Sequence, residues 1–211
     1  FTTEGKKTAA FEIWEWWTDE HSEWHKKDNP LDGHPPLTIF VSVGDGNIIS
    51  GIHKGFKDLL ALGWIPNMPR IIGVQAEGSA AIANAFHANT EVITPVSATT
   101  LADSISVDLP RDGVRAVRAA KETGGTYLTV SDDEILKAIA ALGPMGVFAE
   151  PAGATAYAGV VKAAASGVVG TEDPILVLNT GSGLKDVRAA MRAVIEAPII
   201  EPTLEALKKI L

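Results

Sequence analysis

The 211-residue sequence contains no cysteine and no excess of basic residues. Without cysteine it can form neither disulfides nor thiolate metal sites, and this composition fits a reducing, cytoplasmic compartment. The 18 Lys and Arg are outnumbered by 26 Asp and Glu, and the formal net charge of -8 disfavours nonspecific binding to nucleic acid or to an anionic membrane. Uninterrupted apolar runs of the roughly 18 residues needed to span a membrane are also missing. We therefore expect neither nucleic-acid nor membrane partners.

Short apolar runs and amphipathic helical patterns alternate along the chain. The predicted strands are 37–43, 70–75, 126–131 and 174–180, and 105–109 (ISVDL) is a possible edge strand. The predicted helices are 8–24, 48–63, 78–86, 132–142, 151–166 and 187–194. This alternation predicts an α/β fold with a mostly parallel sheet and helices on both faces, a three-layer αβα arrangement.

The first candidate site is the loop GDGNI, residues 44–48, which joins a predicted buried strand to a predicted helix. Glycines there allow a tight turn and bring unshielded backbone N–H groups against an anion, and the helix dipole adds partial positive charge. The loop has neither the GxxxxGK[ST] pattern of a Walker loop nor the GxGxxG of dinucleotide-binding folds. The residues predict a phosphate-binding loop, although such a turn can also be a turn and nothing more.

Two further segments carry polar residues at junctions between elements. NTGSGLKD (179–186) again connects a strand to a helix, and because ligands collect at the carboxyl ends of parallel strands, it should open on the same edge as the first loop. Alternatively, Ser182 or Asp186 caps the next helix. Glu150 precedes the helix that Pro151 begins, and we interpret it as complementing the first turn of that helix rather than facing a ligand.

Four motifs, in this order and spacing, resemble threonine synthases. They are VSVGDGNIISGIHKGFKDL (41–59), GVQAEGSA (73–80), FAEPAGATAYAG (148–159) and NTGSGLKD (179–186). EGKKTAAFEIWE (4–15) is similar to the helix that precedes the phosphate loop in that family. The resemblance spans nearly the whole chain and implies the large-domain fold of fold type II pyridoxal-phosphate enzymes, which include serine and threonine dehydratases.

By this resemblance, the complete enzyme is a homodimer that uses pyridoxal phosphate, and no metal, to convert O-phosphohomoserine and water to threonine and phosphate. The cofactor phosphate would be bound by backbone N–H groups of the first loop, those of Gly44, Asp45, Gly46, Asn47 and Ile48. Thr180 would place its hydroxyl against the pyridine nitrogen, with Glu150 near the same side of the ring. A hydroxyl, unlike a carboxylate, does not force protonation of that nitrogen.

The catalytic lysine of the family has no counterpart in this sequence. The lysine that forms the Schiff base with the cofactor lies, in the family, upstream of the helix that begins this chain. We interpret residues 1–211 as one domain, the C-terminal part of a longer enzyme, and assign no catalytic residue to it. Lys54, Lys57 and Lys185 match no motif for that lysine and are interpreted as solvated surface residues. The isolated chain is predicted to be inactive and to expose an apolar sheet edge that promotes self-association.

Three other features have simpler interpretations than a functional site. One acidic and histidine-rich cluster lacks the HExxH spacing of a zinc site and is interpreted as a solvated face: Glu20, His21, Glu23, His25 and His34. Tryptophans of the same region are expected in core or interface packing rather than base stacking: Trp14, Trp16, Trp17 and Trp24. His53, on an amphipathic helix among lysines, is interpreted as a surface residue.

Two alternatives to a threonine synthase stay open. One is another fold type II enzyme, such as a threonine or serine dehydratase or a diaminopropionate ammonia-lyase. The other is a stand-alone binding module without catalysis. The pair of GDGN and TGSGLKD favours threonine synthase, because dehydratases commonly carry a longer glycine run and a different final motif.

Overall fold

A parallel four-stranded sheet organises the residues that the computed structural model describes, which are 1–20, 36–194 and 196–210. The strands are β1 (Thr38–Ser42), β2 (Arg70–Ala76), β3 (Tyr127–Val130) and β4 (Ile175–Leu178), and they lie side by side in the order β3-β2-β1-β4. Ile39 of β1 is opposite both Ile71 of β2 and Leu176 of β4. These four strands confirm the strand predictions to within about two residues at each end.

The helices confirm the predicted alternation and add elements that the pattern did not show. In chain order they are α1 (Thr2–Lys6), α2 (Thr8–Glu20), α3 (Asn47–Ala61), α4 (Ala81–His87), α5 (Gly113–Glu122), α6 (Asp132–Leu142), α7 (Pro151–Ala165), α8 (Val187–Ala193) and α9 (Leu204–Lys208). Helix α5 was not predicted from the apolar pattern of the sequence. At the start of α6, the Ser131 hydroxyl accepts from the Glu134 N–H and the Glu134 carboxylate accepts from the Ser131 N–H, which completes a capping box.

Two hydrophobic cores lie on opposite faces of the sheet, since successive strand residues point to opposite sides. On one face, Ile39 and Ile71 pack with residues of α2, α3, α4 and α5. On the other, Phe40 and Ile72 pack with α6 and α7. The sheet is therefore covered on both faces, and the predicted three-layer αβα arrangement is confirmed.

The predicted edge strand at 105–109 is wrong. That stretch follows a 3-10 turn at Asp103–Ile105 and joins no sheet in the described part of the chain. Ser79 explains the difference, because its hydroxyl donates to the carbonyls of Ile105 and Val107 and accepts from the Val107 N–H. Backbone groups satisfied by a side chain are no longer available for strand pairing.

Some of the expectations fall on residues that the structure does not describe. Trp24, His21, Glu23, His25 and His34 lie outside the described ranges, as does the side chain of Glu20. Within those ranges, no group of three or more His, Asp or Glu side chains is arranged to bind a metal ion. Nor does any described helix have the length and apolar character to cross a membrane.

His53 is a buried residue, so the prediction of a surface position is wrong. Its side chain is on the face of α3 that α5 packs against, and only 7% of the residue is exposed. The His53 Nε2 lies 3.3 Å from a carboxylate oxygen of Glu122. Burial lowers the pKa of the imidazole below its ordinary value; the Glu122 carboxylate opposes this change, and the Lys57 ammonium adds to it.

We expect protonation of His53 to destabilise the fold. Because the folded-state pKa is below that of the unfolded chain, about 6.5, the unfolded chain binds the proton first as pH falls. The stability associated with neutral His53 is therefore complete above about pH 6.5 and is lost as pH decreases toward the folded pKa. Thermal unfolding of wild type and His53→Gln between about pH 8 and pH 5 should show the wild type losing more stability than the variant.

The matched control for this measurement is His87→Gln, since His87 lies exposed on α4. The pH dependence of stability should change more in His53→Gln than in His87→Gln, since only His53 is buried. If the difference in thermal stability between wild type and His53→Gln stayed constant across the pH range, protonation of His53 would not be what destabilises the fold.

Strand β4 forms one edge of the described sheet, and each of its four residues is only half-buried. Strand β1 occupies one side of β4, and its other side offers backbone N–H and C=O groups to another chain. We expect the 211-residue chain to self-associate as its concentration rises from micromolar toward millimolar. Sedimentation velocity tests this expectation, and a monomer at every concentration would contradict it.

Candidate functional site

The loop between β1 and α3 requires two of its glycines. Gly46 has φ +90°, the left-handed region, and a Cβ there would lie 2.9 Å from the Asp112 carbonyl oxygen. At Gly44, a Cβ would lie 2.9 Å from the Cα of Ile105. The glycines therefore let the chain turn sharply while two other segments pack closely against it.

The backbone N–H groups of residues 44–48 have no hydrogen-bond acceptor in the described part of the chain. They converge where α3 begins, and the helix adds its partial positive charge at that end. Asp45 is bound to a different segment. Its side-chain Oδ1 accepts from the Arg111 N–H at 3.1 Å, and its backbone carbonyl accepts from the Asp112 N–H at 2.9 Å. The bonds from Arg111 and Asp112 thus fix the loop on one side, and the unbonded N–H groups of residues 44–48 remain available as donors.

Gln75 holds the strand end that leads into this loop. It is buried at the carboxyl end of β2, and its side-chain amide donates to the Val43 carbonyl at 3.2 Å. Its carbonyl oxygen accepts from the N–H groups of Ile82 and Ala83, in the first turn of α4. Gln75 lies within the motif GVQAEGSA (73–80), but no role was predicted for it. A polar residue inside a predicted buried strand was the signal that could have identified it.

The second loop, residues 179–183, lies beside the start of α7. Its backbone pairs with the segment before that helix, through bonds from the Glu150 N–H to the Gly181 carbonyl (2.9 Å) and from the Gly183 N–H to the Phe148 carbonyl (2.8 Å). A Cβ on Gly181 would overlap the Glu150 carboxylate. Thr180 is exposed, and its hydroxyl makes no hydrogen bond to a described residue.

The capping interpretation of this loop is confirmed for Asp186, which caps α8, whereas Ser182 caps the 3-10 turn Gly183–Lys185 that precedes that helix. The Ser182 hydroxyl accepts from the Leu184 N–H at 3.3 Å, and the Asp186 carboxylate accepts from the Ala189 N–H at 2.9 Å. Each of these side chains therefore accepts a hydrogen bond from a backbone N–H that would otherwise lack a partner. Thr180 is therefore the hydroxyl of this loop that remains available to a ligand.

The two loops open into one cavity of about 270 Å³ at the carboxyl edge of the sheet. All six residues predicted to bind the cofactor line this cavity: Gly44, Asp45, Gly46, Asn47, Ile48 and Thr180. Lys6, Ser104, Glu150 and Lys185 also contribute to its wall. Segments far apart in sequence thus meet here, as expected for the carboxyl ends of adjacent parallel strands.

The interpretation of Glu150 needs correction, whereas the predicted surface position of Lys185 is confirmed. Glu150 makes no side-chain bond to the first turn of α7; it is 5% exposed and lines the cavity. Lys185 keeps more than half of its side chain exposed, yet its ammonium donates to the Glu150 carboxylate at 2.8 Å and does not point freely into solvent. A buried carboxylate requires such a partner, and only the folding of the two segments together provides it.

A parallel αβα sheet with unbonded backbone N–H groups and an available hydroxyl at one edge is typical of domains that bind phosphorylated small molecules. A model of the pyridoxal-phosphate dependent enzymes matches residues 1–181. The chain belongs to that family, and pyridoxal phosphate is the family's cofactor.

Curated relatives confirm the resemblance to threonine synthases. The chain is 35% identical over its full length to the threonine synthase of Methanocaldococcus jannaschii, and 32% identical over 99% of its length to that of Methanosarcina acetivorans. It is 33% identical over 94% of its length to that of Mycobacterium tuberculosis. In each case it covers 49% of the relative, so the chain spans about half the length of the curated relatives it matches.

Solved structures share the fold at lower sequence identity. The processed form of threonine deaminase isoform 2 from Solanum lycopersicum has a TM-score of 0.64 at 22% identity, over 90% of this chain and 49% of that one. Maize serine racemase has a TM-score of 0.60 at 22% identity, over 86% of this chain and 49% of that one. These neighbours support the fold type II architecture.

The residues present fit the family's cofactor. A phosphate monoester needs several converging N–H donors, and those of residues 44–48 have no acceptor among the residues that the structure describes. Added side chains at Gly44 or Gly46 would force the surrounding backbone to move, so the close approach of this turn depends on glycine. The donor set of the cavity therefore suits pyridoxal phosphate.

Proposed function

We propose that this chain is the part of a threonine synthase that binds the phosphate group and the ring nitrogen of pyridoxal phosphate. The complete enzyme would convert O-phosphohomoserine and water to threonine and phosphate. The observation that carries this proposal is the single cavity lined by both the free N–H groups of residues 44–48 and Thr180. The threonine synthases of three organisms, 32–35% identical to the chain, support the choice of reaction.

Each loop would have a separate task in cofactor binding. The N–H groups of residues 44–48 donate to the phosphate oxygens, and the N-terminus of α3 stabilises their negative charge. The Thr180 hydroxyl hydrogen-bonds the ring nitrogen without imposing a proton on it. When bound, pyridoxal phosphate supplies the electron sink for the substrate carbanion. The lysine that binds the cofactor covalently would come from residues outside this sequence.

The location and assembly of the complete protein are also part of the proposal. We place it in the cytoplasm, which the lack of cysteine fits. The resemblance to threonine synthases implies a homodimer, with these 211 residues forming one domain in the C-terminal part of each subunit.

A substrate comparison on the full-length protein loaded with pyridoxal phosphate tests this function. Threonine and inorganic phosphate should form from O-phosphohomoserine much faster than ammonia forms from L-threonine, L-serine or diaminopropionate. Faster ammonia release from one of those amino acids would replace the proposal with the dehydratase or ammonia-lyase alternative. Stoichiometric cofactor binding without turnover of any of these substrates would favour a non-catalytic module.

We expect the 211-residue chain by itself to form no threonine from O-phosphohomoserine, even with added pyridoxal phosphate. The family's Schiff-base lysine, which would also shuttle protons, has no counterpart in this sequence, and the two lysines that line the cavity, Lys6 and Lys185, match no motif for it. Borohydride reduction followed by intact-mass measurement should accordingly give no stoichiometric adduct. Turnover above the level of free pyridoxal phosphate would contradict the assignment of that lysine to another part of the protein.

A further inference from the structure

An ion pair with one buried member forms part of the cavity wall. Glu150 is 95% removed from solvent, and one of its oxygens accepts from the Lys185 ammonium at 2.8 Å. The other oxygen accepts from the Ser104 hydroxyl at 3.5 Å. Glu150 immediately precedes α7 and Lys185 follows the second loop, so the pair connects two segments that border the cavity.

We propose that Lys185 and Glu150 are positioning residues for Thr180, an inference that rests on the proposed function. The backbone bonds around Gly181 already place the second loop against the segment before α7. The Glu150 side chain fills the space beside Gly181, where no Cβ fits, and Lys185 fixes that side chain from the far end of the loop. Thr180, directly before Gly181, is thereby held at the cavity with its hydroxyl free.

The same pair sets the charge on this side of the cavity. A buried carboxylate without a partner is strongly unfavourable and would attract a proton to any basic nitrogen near it. The Lys185 ammonium compensates the charge of Glu150, so the uncharged Thr180 hydroxyl would be the group that hydrogen-bonds the ring nitrogen. The pair would thus affect the cofactor in two ways, by positioning Thr180 and by setting the local charge. Neither way requires Glu150 or Lys185 to touch the cofactor.

Substitutions in the full-length protein separate these roles. Lys185→Met leaves the Glu150 carboxylate uncompensated, whereas Lys185→Arg keeps the charge and Glu150→Gln/Lys185→Met removes both charges. The readouts are the dissociation constant of pyridoxal phosphate, from its absorbance, and the ¹⁵N resonance of cofactor labelled at the ring nitrogen. Lys137→Met, on the exposed side of α6, is the matched control.

We expect Lys185→Met to weaken cofactor binding by about tenfold and to move the ¹⁵N resonance toward the position of a protonated nitrogen. Lys185→Arg should keep both wild-type values, and the double variant should recover the wild-type resonance. If Lys185→Met does not fold, the double variant should fold, and Glu150→Gln alone should bring the resonance no closer to the protonated position.

Two outcomes overturn the inference in distinguishable ways. A wild type that binds pyridoxal phosphate, together with a Lys185→Met variant that matches Lys137→Met in both readouts, overturns the positioning role alone. A wild type that does not bind the cofactor overturns the proposed function and this inference with it.

Discussion

Replacing Gly46 with alanine should destabilise the protein and remove most of its affinity for pyridoxal phosphate. At φ +90° a residue with a Cβ loses about 1–2 kcal/mol from backbone conformation alone. The new Cβ would also lie 2.9 Å from both the Asp112 carbonyl oxygen and the Ala116 Cβ, so the loop would have to move. We expect a total loss of about 3 kcal/mol in the free energy of unfolding and a cofactor affinity lower by at least about tenfold.

Gly63→Ala provides the control for conformation. Gly63 also has a positive φ, of +71°, but a Cβ there would meet no atom within 4 Å. This variant should lose only the free energy of unfolding that comes from backbone conformation, about 1–2 kcal/mol, and it should keep its cofactor affinity. Urea unfolding and equilibrium cofactor titration of the full-length protein measure both quantities. Equal cofactor affinity in the two variants would contradict the role of the 44–48 loop.

Replacing Gln75 with leucine should have the second large effect, although Gln75 is not itself predicted to touch a ligand. The substitution leaves the Val43 carbonyl and the N–H groups of Ile82 and Ala83 without their buried partner. Unsatisfied buried groups cost about 1–3 kcal/mol each. We therefore expect the free energy of unfolding to fall by at least about 3 kcal/mol and the thermal unfolding midpoint to fall by about 10 °C. Since Val43 leads directly into the loop of residues 44–48, which we propose to bind the cofactor phosphate, cofactor affinity should fall as well.

Gln75→Glu distinguishes the acceptor from the donor bonds. A glutamate keeps the bonds to the α4 N–H groups but donates to the Val43 carbonyl only when protonated. Its folded-state pKa should therefore be raised above the unfolded value, and its stability deficit relative to wild type should shrink as pH falls. Circular dichroism melts at several pH values measure this trend. A deficit that is independent of pH, or a Gln75→Leu variant as stable as wild type, would contradict the bridging role.

The fold and the two loops could be predicted from sequence because their signals are local. A β-branched apolar run, a glycine-containing turn and an amphipathic stripe each depend on residues that are neighbours along the chain. The strand at 37–43, the GDGNI loop and the helix after it were found in this way. Parallel strands then place their carboxyl ends at one edge, which brought Thr180 to the same cavity as Gly46.

The residues that sequence reasoning misjudged depend on partners distant along the chain. His53 is buried because α5, which the pattern did not show, packs on it and brings Glu122 close. The segment at 105–109 is no strand because Ser79, 26 residues from Ile105, takes its hydrogen bonds. Glu150 gains its charge partner Lys185, 35 residues further along the chain, only after the chain has folded.

The sequence by itself thus determined the class of fold, the order of its elements and the position of the glycine turn at residues 44–48, since these follow from backbone preferences and from the period of apolar residues. Only the tertiary structure decided which polar side chains are buried and what they bind, as with Gln75, His53 and Glu150. The physical reason is that the cost of burying a polar group depends on its partner in space, and separation along the chain does not encode that partner.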